Sequence, residues 1–151
     1  MRALFRLFIP AVTALAVSAS LVSPASAHER RKVAGYDVVV GFGAEPAYAS
    51  QPNYVDFRVS KDDKPVVDIG PDLDVAVIYG NSNQKLELKP KFKVGTYGEP
   101  GSYGADFVPT RSGVYTFHFT GAINGQPVDE KFTASPTTFS EVVSAFAVLA
   151  T

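Results

Sequence analysis

The sequence predicts an all-β fold, an immunoglobulin-like antiparallel β-sandwich of about seven strands. Two observations lead to this prediction. Apolar and polar residues alternate in short runs, which is the two-residue period of a β-strand, and segments rich in Gly, Pro, Asn and Asp separate the runs. About seven short strands with frequent turns are typical of such sandwiches. A signal helix before the domain and a short helix after it complete the predicted architecture.

The first 27 residues have the features of an export signal. Two arginines give the start a positive charge, the run from Leu7 to Leu21 is mostly apolar, and the segment ends in Ala25-Ser26-Ala27. This small-residue pattern predicts cleavage after Ala27 and a mature chain that begins at His28. An uncleaved anchor is the alternative, but the apolar run is shorter than the ~20 residues that a bilayer span needs and contains Pro10.

The composition of the mature chain restricts its partners and its compartment. Cleavage leaves 124 residues, enough for one domain with a core, and 12 basic residues against 15 acidic ones, a net charge of −3. Such a balance does not favour nucleic acid or an anionic membrane as partner. The absence of cysteine excludes disulfides, thiolate metal sites and thiol nucleophiles. We expect a periplasmic or secreted protein whose partner is another envelope or extracellular protein.

Residues 28–35, which begin HERRK, are charged, and we expect a flexible N-terminal segment there. The sandwich is predicted over residues 36–137 and the C-terminal helix over residues 138–151. The predicted strands are Tyr36–Phe42, Tyr54–Ser60, Leu73–Tyr79, Lys85–Lys89, Tyr103–Val108, Val114–Thr120 and Val128–Thr133.

Strand periodicity also predicts which side chains face the core. In VYTFHFT, the side chains of Tyr115, Phe117 and Phe119 share one face, which places His118 on the polar face. Asn124-Gly125 is a strong hairpin signal, because both residues tolerate the positive φ that a type I′ turn requires. It should join the last two predicted strands as antiparallel neighbours. A tyrosine such as Tyr115, placed after a Gly at a strand entry, can hydrogen-bond back to the chain or serve as an ordinary strand aromatic.

The chain changes character from Thr138. Thr138 and Glu141 have the spacing of a capping box, and apolar residues recur at helical spacing at Phe139, Val142, Val143, Phe146 and Leu149. This pattern predicts a short amphipathic helix that is too short to cross a membrane. An eighth strand through Val142–Leu149 is the alternative.

The two histidines, His28 and His118, are the candidate metal ligands. An N-terminal His28 would offer its α-amine and its imidazole together, and imidazole suits copper. His118 would complete a three-nitrogen site if the N-terminal segment crossed the polar face of its strand. The alternative is that each is an ordinary exposed histidine.

Other chemistry has weaker support. Five aspartates lie close together in KDDKPVVDIGPDLD, which is a possible calcium pattern, but the spacing is not that of an EF-hand and turns attract aspartate. No G-x-S-x-G elbow or nucleotide-binding glycine loop is present. We therefore expect a protein that is not an enzyme and has no cofactor unless it binds copper.

The segment GAEPAYASQPNY is the candidate binding loop. It holds Glu45, Tyr48, Asn53 and Tyr54 between rigid prolines, and tyrosine offers a large contact area at a low entropy cost. The alternative is a structural crossover whose tyrosines close one end of the domain.

The segments VGFGAEPAYASQPN and PGSYGADFVPTRSGVYTFHFTGAINGQPVDEKFT resemble a group of uncharacterised exported bacterial proteins, similar to YtkA-like and CopC-like envelope domains. The most telling pattern is PG-x-Y followed by PT-x-x-G-x-Y-x-F, and the resemblance runs from Tyr36 to Phe139. It implies an immunoglobulin-like sandwich in the cell envelope. CopC-like copper carriers begin their mature chain with histidine, as His28 would, but keep the second histidine in an Asp-x-His context, whereas Thr116 lies two residues before His118.

The sequence as a whole favours an exported binding or accessory module that is not an enzyme. A copper-binding envelope protein that uses His28 and His118 is the alternative.

Overall fold

The computed structural model describes residues 27–146, and within them the chain is all-β. The strands are β1 (His28–Val33), β2 (Tyr36–Phe42), β3 (Asn53–Lys61), β4 (Lys64–Pro65), β5 (Leu73–Tyr79), β6 (Ser82–Glu87), β7 (Lys89–Pro90), β8 (Ser102–Phe107), β9 (Thr116–Ile123) and β10 (Gln126–Thr133). Six of the seven predicted strands are present, and β2 and β5 have the predicted bounds. The remaining one, Lys85–Lys89, is divided between β6 and β7. Residues 27–146 contain no helix with the length and hydropathy of a membrane span.

The strands form two antiparallel sheets. The first has the order β1-β2-β3-β8-β7, with β4 paired to β3, and the second has the order β10-β9-β5-β6. Aromatic rings connect the inner faces of the two sheets. The ring centroid of Phe42 lies 5.2 Å from that of Phe117, and the centroid of Phe57 lies 4.8 Å from that of Phe119. One apolar core between two sheets therefore holds the molecule together, in a sandwich-like arrangement.

The turn chemistry agrees with the prediction at Asn124-Gly125. The φ angles are 47° and 78°, and Ile123 pairs with Gln126 across a two-residue turn, as a type I′ hairpin requires. The hydroxyl of Tyr115 donates to the carbonyl of Arg111 at 3.0 Å, so this tyrosine does hydrogen-bond back to the chain.

The prediction of a flexible segment over residues 28–35 is wrong for residues 28–33, which form the edge strand β1. A tight turn at Ala34-Gly35, with φ of 50° and 84°, returns the chain against β2. The charged side chains do not prevent pairing, because alternation sends only Glu29, Arg31 and Val33 towards the second sheet. There the guanidinium of Arg31 lies 4.1 Å from the centre of the Phe132 ring.

The predicted C-terminal helix is also wrong as far as residue 146. Turns and bends occupy residues 136–139, and residues 142 and 143 are extended: Gly113 and Val142 form an antiparallel bridge, and Tyr48 and Val143 form a parallel one. The ring of Phe139 is fully buried between the sheets. In a helix, the backbone N–H and C=O groups of this segment would form hydrogen bonds with one another. Here they form hydrogen bonds with two loops instead. The predicted signal helix and residues 147–151 lie outside the described residues.

Candidate functional site

The solvent side of the first sheet, here called the outer face, carries a row of four residues in register. His28 on β1 pairs with Gly41 on β2, Gly41 pairs with Asp56 on β3, and Asp56 pairs with Gly104 on β8. Asp56 lies on this face because its neighbours Val55 and Phe57 point into the core. The carboxylate thus has a glycine on each side.

These two glycines leave space that other side chains fill. A Cβ atom at Gly41 would lie 2.7 Å from Cδ2 of His28, and one at Gly104 would collide with Cε of Lys91 and lie 2.9 Å from Cδ2 of Tyr54. The His28 ring therefore lies over Gly41, and Tyr54 and Lys91 lie over Gly104. These side chains cover Asp56 from both sides.

The Asp56 carboxylate is consequently buried although it lies on the outer face, with only 3% of the residue exposed. Its Oδ2 atom lies 2.9 Å from Nε2 of His28, accepts a hydrogen bond from Nε of Arg58 at 3.0 Å, and forms an ion pair with Nη2 of Arg58 at 2.9 Å. A buried carboxylate of this kind needs such partners, because an unpaired buried charge is strongly destabilising.

A second row runs parallel to the first and lines a groove of about 440 Å³. Its members are Arg30, Val39, Arg58 and Ser102, on β1, β2, β3 and β8. Arg58 is fixed by Asp56 and approaches Glu99 at 3.8 Å. Among the described residues, Arg30 has no salt-bridge partner. Two strand spacings place the backbones of the two arginines about 10 Å apart.

Glu45 of the predicted binding loop lies close to His28, at the end of the first sheet where β1 begins. Burial raises the pKa of its carboxyl, and the effect is opposed by a hydrogen bond from the Ser140 side chain and by the charge of His28. Its Oε1 atom is buried and has no hydrogen-bond partner among residues 27–146.

The other three residues of the predicted loop have roles within the chain. Asn53 is 8% exposed, and its side chain accepts from the Ala44 amide at 3.0 Å and donates to the Ala44 carbonyl at 2.9 Å, which closes the loop. Tyr48 pairs with Val143, and Tyr54 lies under the ammonium of Lys91 at 4.6 Å. These contacts are those of a structural crossover, and the exposed residues of the loop are Ala44, Pro46 and residues 50–52.

The structure does not bring His28 and His118 together. His118 lies on β9 of the second sheet, on the side away from the core, with its Nε2 atom 2.6 Å from Oδ1 of Asp129. Because His28 lies on the outer face of the first sheet, the whole core separates the two imidazoles. The predicted three-nitrogen arrangement is therefore absent from residues 27–146.

The clustered aspartates also do not converge. Asp68 accepts from the amide of Gly70 at 2.9 Å, and Asp74 pairs with Lys85 at 2.6 Å. Across the part of the chain that the structure describes, no group of three or more His, Cys, Asp or Glu side chains is placed to hold a metal ion.

Sequence reasoning missed Asp56, Arg58 and Arg30. A usable signal was present, because a glycine inside a strand marks a close approach, and both VVVGF and SYGADF contain one. Which side chain fills the space over each glycine depends on sheet register, which no local pattern specifies.

Comparison with known proteins yields little. No protein-family model matches the chain, and no curated protein sequence matches it. The structure shows a likeness to a crystal structure of a DUF4426 family protein from Pseudomonas aeruginosa, with 12% sequence identity and a TM-score of 0.49, over 71% of this chain and 90% of that one. The resemblance to YtkA-like and CopC-like domains stays a prediction.

Proposed function

We propose that this protein is an exported binding module, an immunoglobulin-like β-sandwich of the periplasm or extracellular space that is not an enzyme. Its partner is an acidic segment of another envelope or extracellular protein. Two antiparallel sheets around one core and the hydrogen bond from Tyr115 back to Arg111 support the immunoglobulin-like assignment.

The pair of arginines in the outer-face groove is the observation on which this proposal rests. Arg58 is held in place by the buried Asp56, while Arg30 has no salt-bridge partner among residues 27–146. A guanidinium is suited to carboxylates because its N–H groups form a planar fork. The carboxylates of Asp37, Asp63 and Glu99 also line the groove. The guanidinium of Arg30, beside the half-buried Val39, is therefore the group that an acidic chain lying across the strands would meet.

Site-specific crosslinking tests this proposal. A photoreactive residue at Val39 is compared with one at Ala76, which is also half-buried but lies on the outer side of the second sheet. We expect a discrete protein adduct in the native host from position 39 and none from position 76. Arg30→Ala should abolish the adduct. Equal labelling from both positions, or an adduct that survives Arg30→Ala, contradicts the proposal.

Copper binding is the second candidate, and the position of His28 favours it. Cleavage after Ala27 would place an α-amine beside an imidazole that already lies 2.9 Å from the Asp56 carboxylate. The α-amine and the Nδ1 atom of one histidine can chelate Cu(II), while Asp56, in contact with Nε2, would orient the ring. The ligands would come from the first sheet alone, without His118.

Native mass spectrometry of the exported protein, with one equivalent of Cu(II), tests the second candidate. We expect a chain that starts at His28, one retained copper, loss of that copper in His28→Ala, and full retention in His118→Ala. If the chain loses its copper to a weak chelator, copper binding is rejected and the binding module is the function that remains proposed.

A further inference from the structure

The beginning of β1 and the loop after β2 lie at the same corner of the molecule. His28 pairs with Gly41, and the next residue of β2, Phe42, is its last. Because β1 and β2 are antiparallel, the chain entering β1 and the chain leaving β2 towards Glu45 meet at this corner. The effect of His28 on the Glu45 carboxyl agrees with this proximity.

Glu45 has one oxygen that nothing in residues 27–146 satisfies. Its Oε1 atom is buried without a hydrogen-bond partner, although hydrogen bonds from Ser140 and Phe42 to the carboxyl group lower the pKa that burial raises. Buried carboxylate oxygens are normally hydrogen-bonded, and a buried anion normally has a cation beside it. The structure therefore shows an acceptor for a cation at the corner where β1 begins.

We propose that the Glu45 carboxylate is a binding site for the protein's own amino terminus, the α-ammonium group of His28. The inference rests on the export cleavage that is part of the proposed function. Hydrolysis of the bond between Ala27 and His28 adds one water molecule: the carboxylate leaves with Ala27, and the new amine on His28 takes up a proton. The resulting ammonium pairs with Glu45.

This ion pair would couple processing to the order of the edge strand. Before cleavage, the nitrogen of His28 is an uncharged amide and the Oε1 atom of Glu45 is buried without that cation. After cleavage, the ion pair fixes the first residue of β1, next to the contact between His28 and Asp56. Copper would have to displace the proton of this amine, so the ion pair competes with the copper site of the second candidate function.

The test compares two chains, one that starts at His28 and one that keeps Ala27, each released without extra residues from a fusion protein. The ¹⁵N resonance of the His28 nitrogen reports the titration of the α-amine in the first chain. We expect this amine to hold its proton about tenfold more tightly than an ordinary terminus, and Glu45→Gln to remove the difference. Glu99→Gln, which changes an exposed carboxylate, is the matched control and should have no effect.

Thermal unfolding gives a second readout. The chain that starts at His28 should unfold about 2–6 °C above the chain that keeps Ala27, and the difference should vanish in Glu45→Gln. An α-amine with its ordinary pKa, or a raised pKa that survives Glu45→Gln, overturns the inference.

N-terminal sequencing of the exported protein separates this inference from the proposed function. A start at His28 with an ordinary amine overturns the Glu45 site alone. A start elsewhere overturns the predicted cleavage and, with it, the role of Glu45 in processing.

Discussion

Asp56 organises the outer face of the first sheet, because one buried oxygen lies in contact with both His28 and Arg58. Its removal leaves a guanidinium and an imidazole without their carboxylate and opens a cavity beside two glycines. We expect Asp56→Ala to lower the free energy of unfolding by about 2 kcal/mol, below the largest values for buried pairs because Arg58 is half exposed. Urea unfolding measures this change.

Asp106→Ala is the control for this prediction. Asp106 pairs with Lys91 at 2.6 Å, but its side chain is 73% exposed. An exposed ion pair contributes about 0.2–1 kcal/mol, so the variant should unfold close to the wild type. Equal losses in the two variants would show that burial does not distinguish these carboxylates.

The buried hydroxyl of Tyr103 is expected to make the folded protein less stable at alkaline pH. Burial raises the pKa of its hydroxyl to about 12, and that hydroxyl donates to the Val66 carbonyl at 2.9 Å. Between the pKa of about 10 in the unfolded chain and about 12 in the native protein, only the unfolded chain loses this proton. The contribution is therefore complete below pH 10 and is lost as pH rises to 12. The difference in free energy of unfolding between wild type and Tyr103→Phe should shrink over this window.

Absorbance at 295 nm checks the assignment directly. One tyrosine of the folded wild type should titrate near pH 12, and Tyr103→Phe should lack that step. A wild-type protein whose tyrosines all titrate near their ordinary value contradicts the prediction.

At the scale of elements, β1 depends on one inward-facing arginine. Arg31 donates to Glu130 at 3.0 Å and lies over Phe132, so it connects the edge of the first sheet to β10 of the second. We expect Arg31→Ala to cost about 1–2 kcal/mol of the free energy of unfolding and to speed amide exchange in β1. Hydrogen exchange followed by NMR measures this selectively.

Arg30→Ala is the matched control, since Arg30 lies on the same strand but points outwards. It should leave β1 exchange at the wild-type rate while it abolishes partner crosslinking. Faster exchange in both variants would assign the stability of β1 to charge in general instead of to the contact with Phe132.

The strands could be predicted where the pattern is local, and the errors arose where tertiary contacts decide. β2 and the Asn124-Gly125 turn follow from alternation and positive φ, which adjacent residues specify. For β1, the charged sequence HERRKV gave no sign that Phe132, about a hundred residues away, would receive Arg31. From Thr138, helical spacing predicts that Phe139 and Val142 face inwards, and both are buried, but the open edges of two loops hold residues 142 and 143 in an extended path.

The site was less predictable than the fold, because it depends on register across strands that are distant in sequence. His28 was identified from its position after Ala27, but its contact with Asp56 requires β1, β2 and β3 to align. Alternation alone places Asp56 on a solvated face. The glycine on each side of it in register, at positions 41 and 104, explains the burial.

At the scale of the whole molecule, Phe139 makes the C-terminal segment part of the core. Its ring lies 5.7 Å from that of Phe42 in the first sheet and stacks on Phe117 in the second at 5.2 Å. We expect Phe139→Ala to lower the free energy of unfolding by about 3–5 kcal/mol, because it leaves a cavity that both sheets line.

Phe146 is 80% exposed, so Phe146→Ala should change the free energy of unfolding by less than about 0.5 kcal/mol. Urea unfolding followed by two probes, far-UV circular dichroism and tyrosine fluorescence, distinguishes the outcomes. A single shifted transition for Phe139→Ala means that the segment folds with the two sheets as one unit, whereas a small loss equal to that of Phe146→Ala means that residues 138–146 are dispensable to the core.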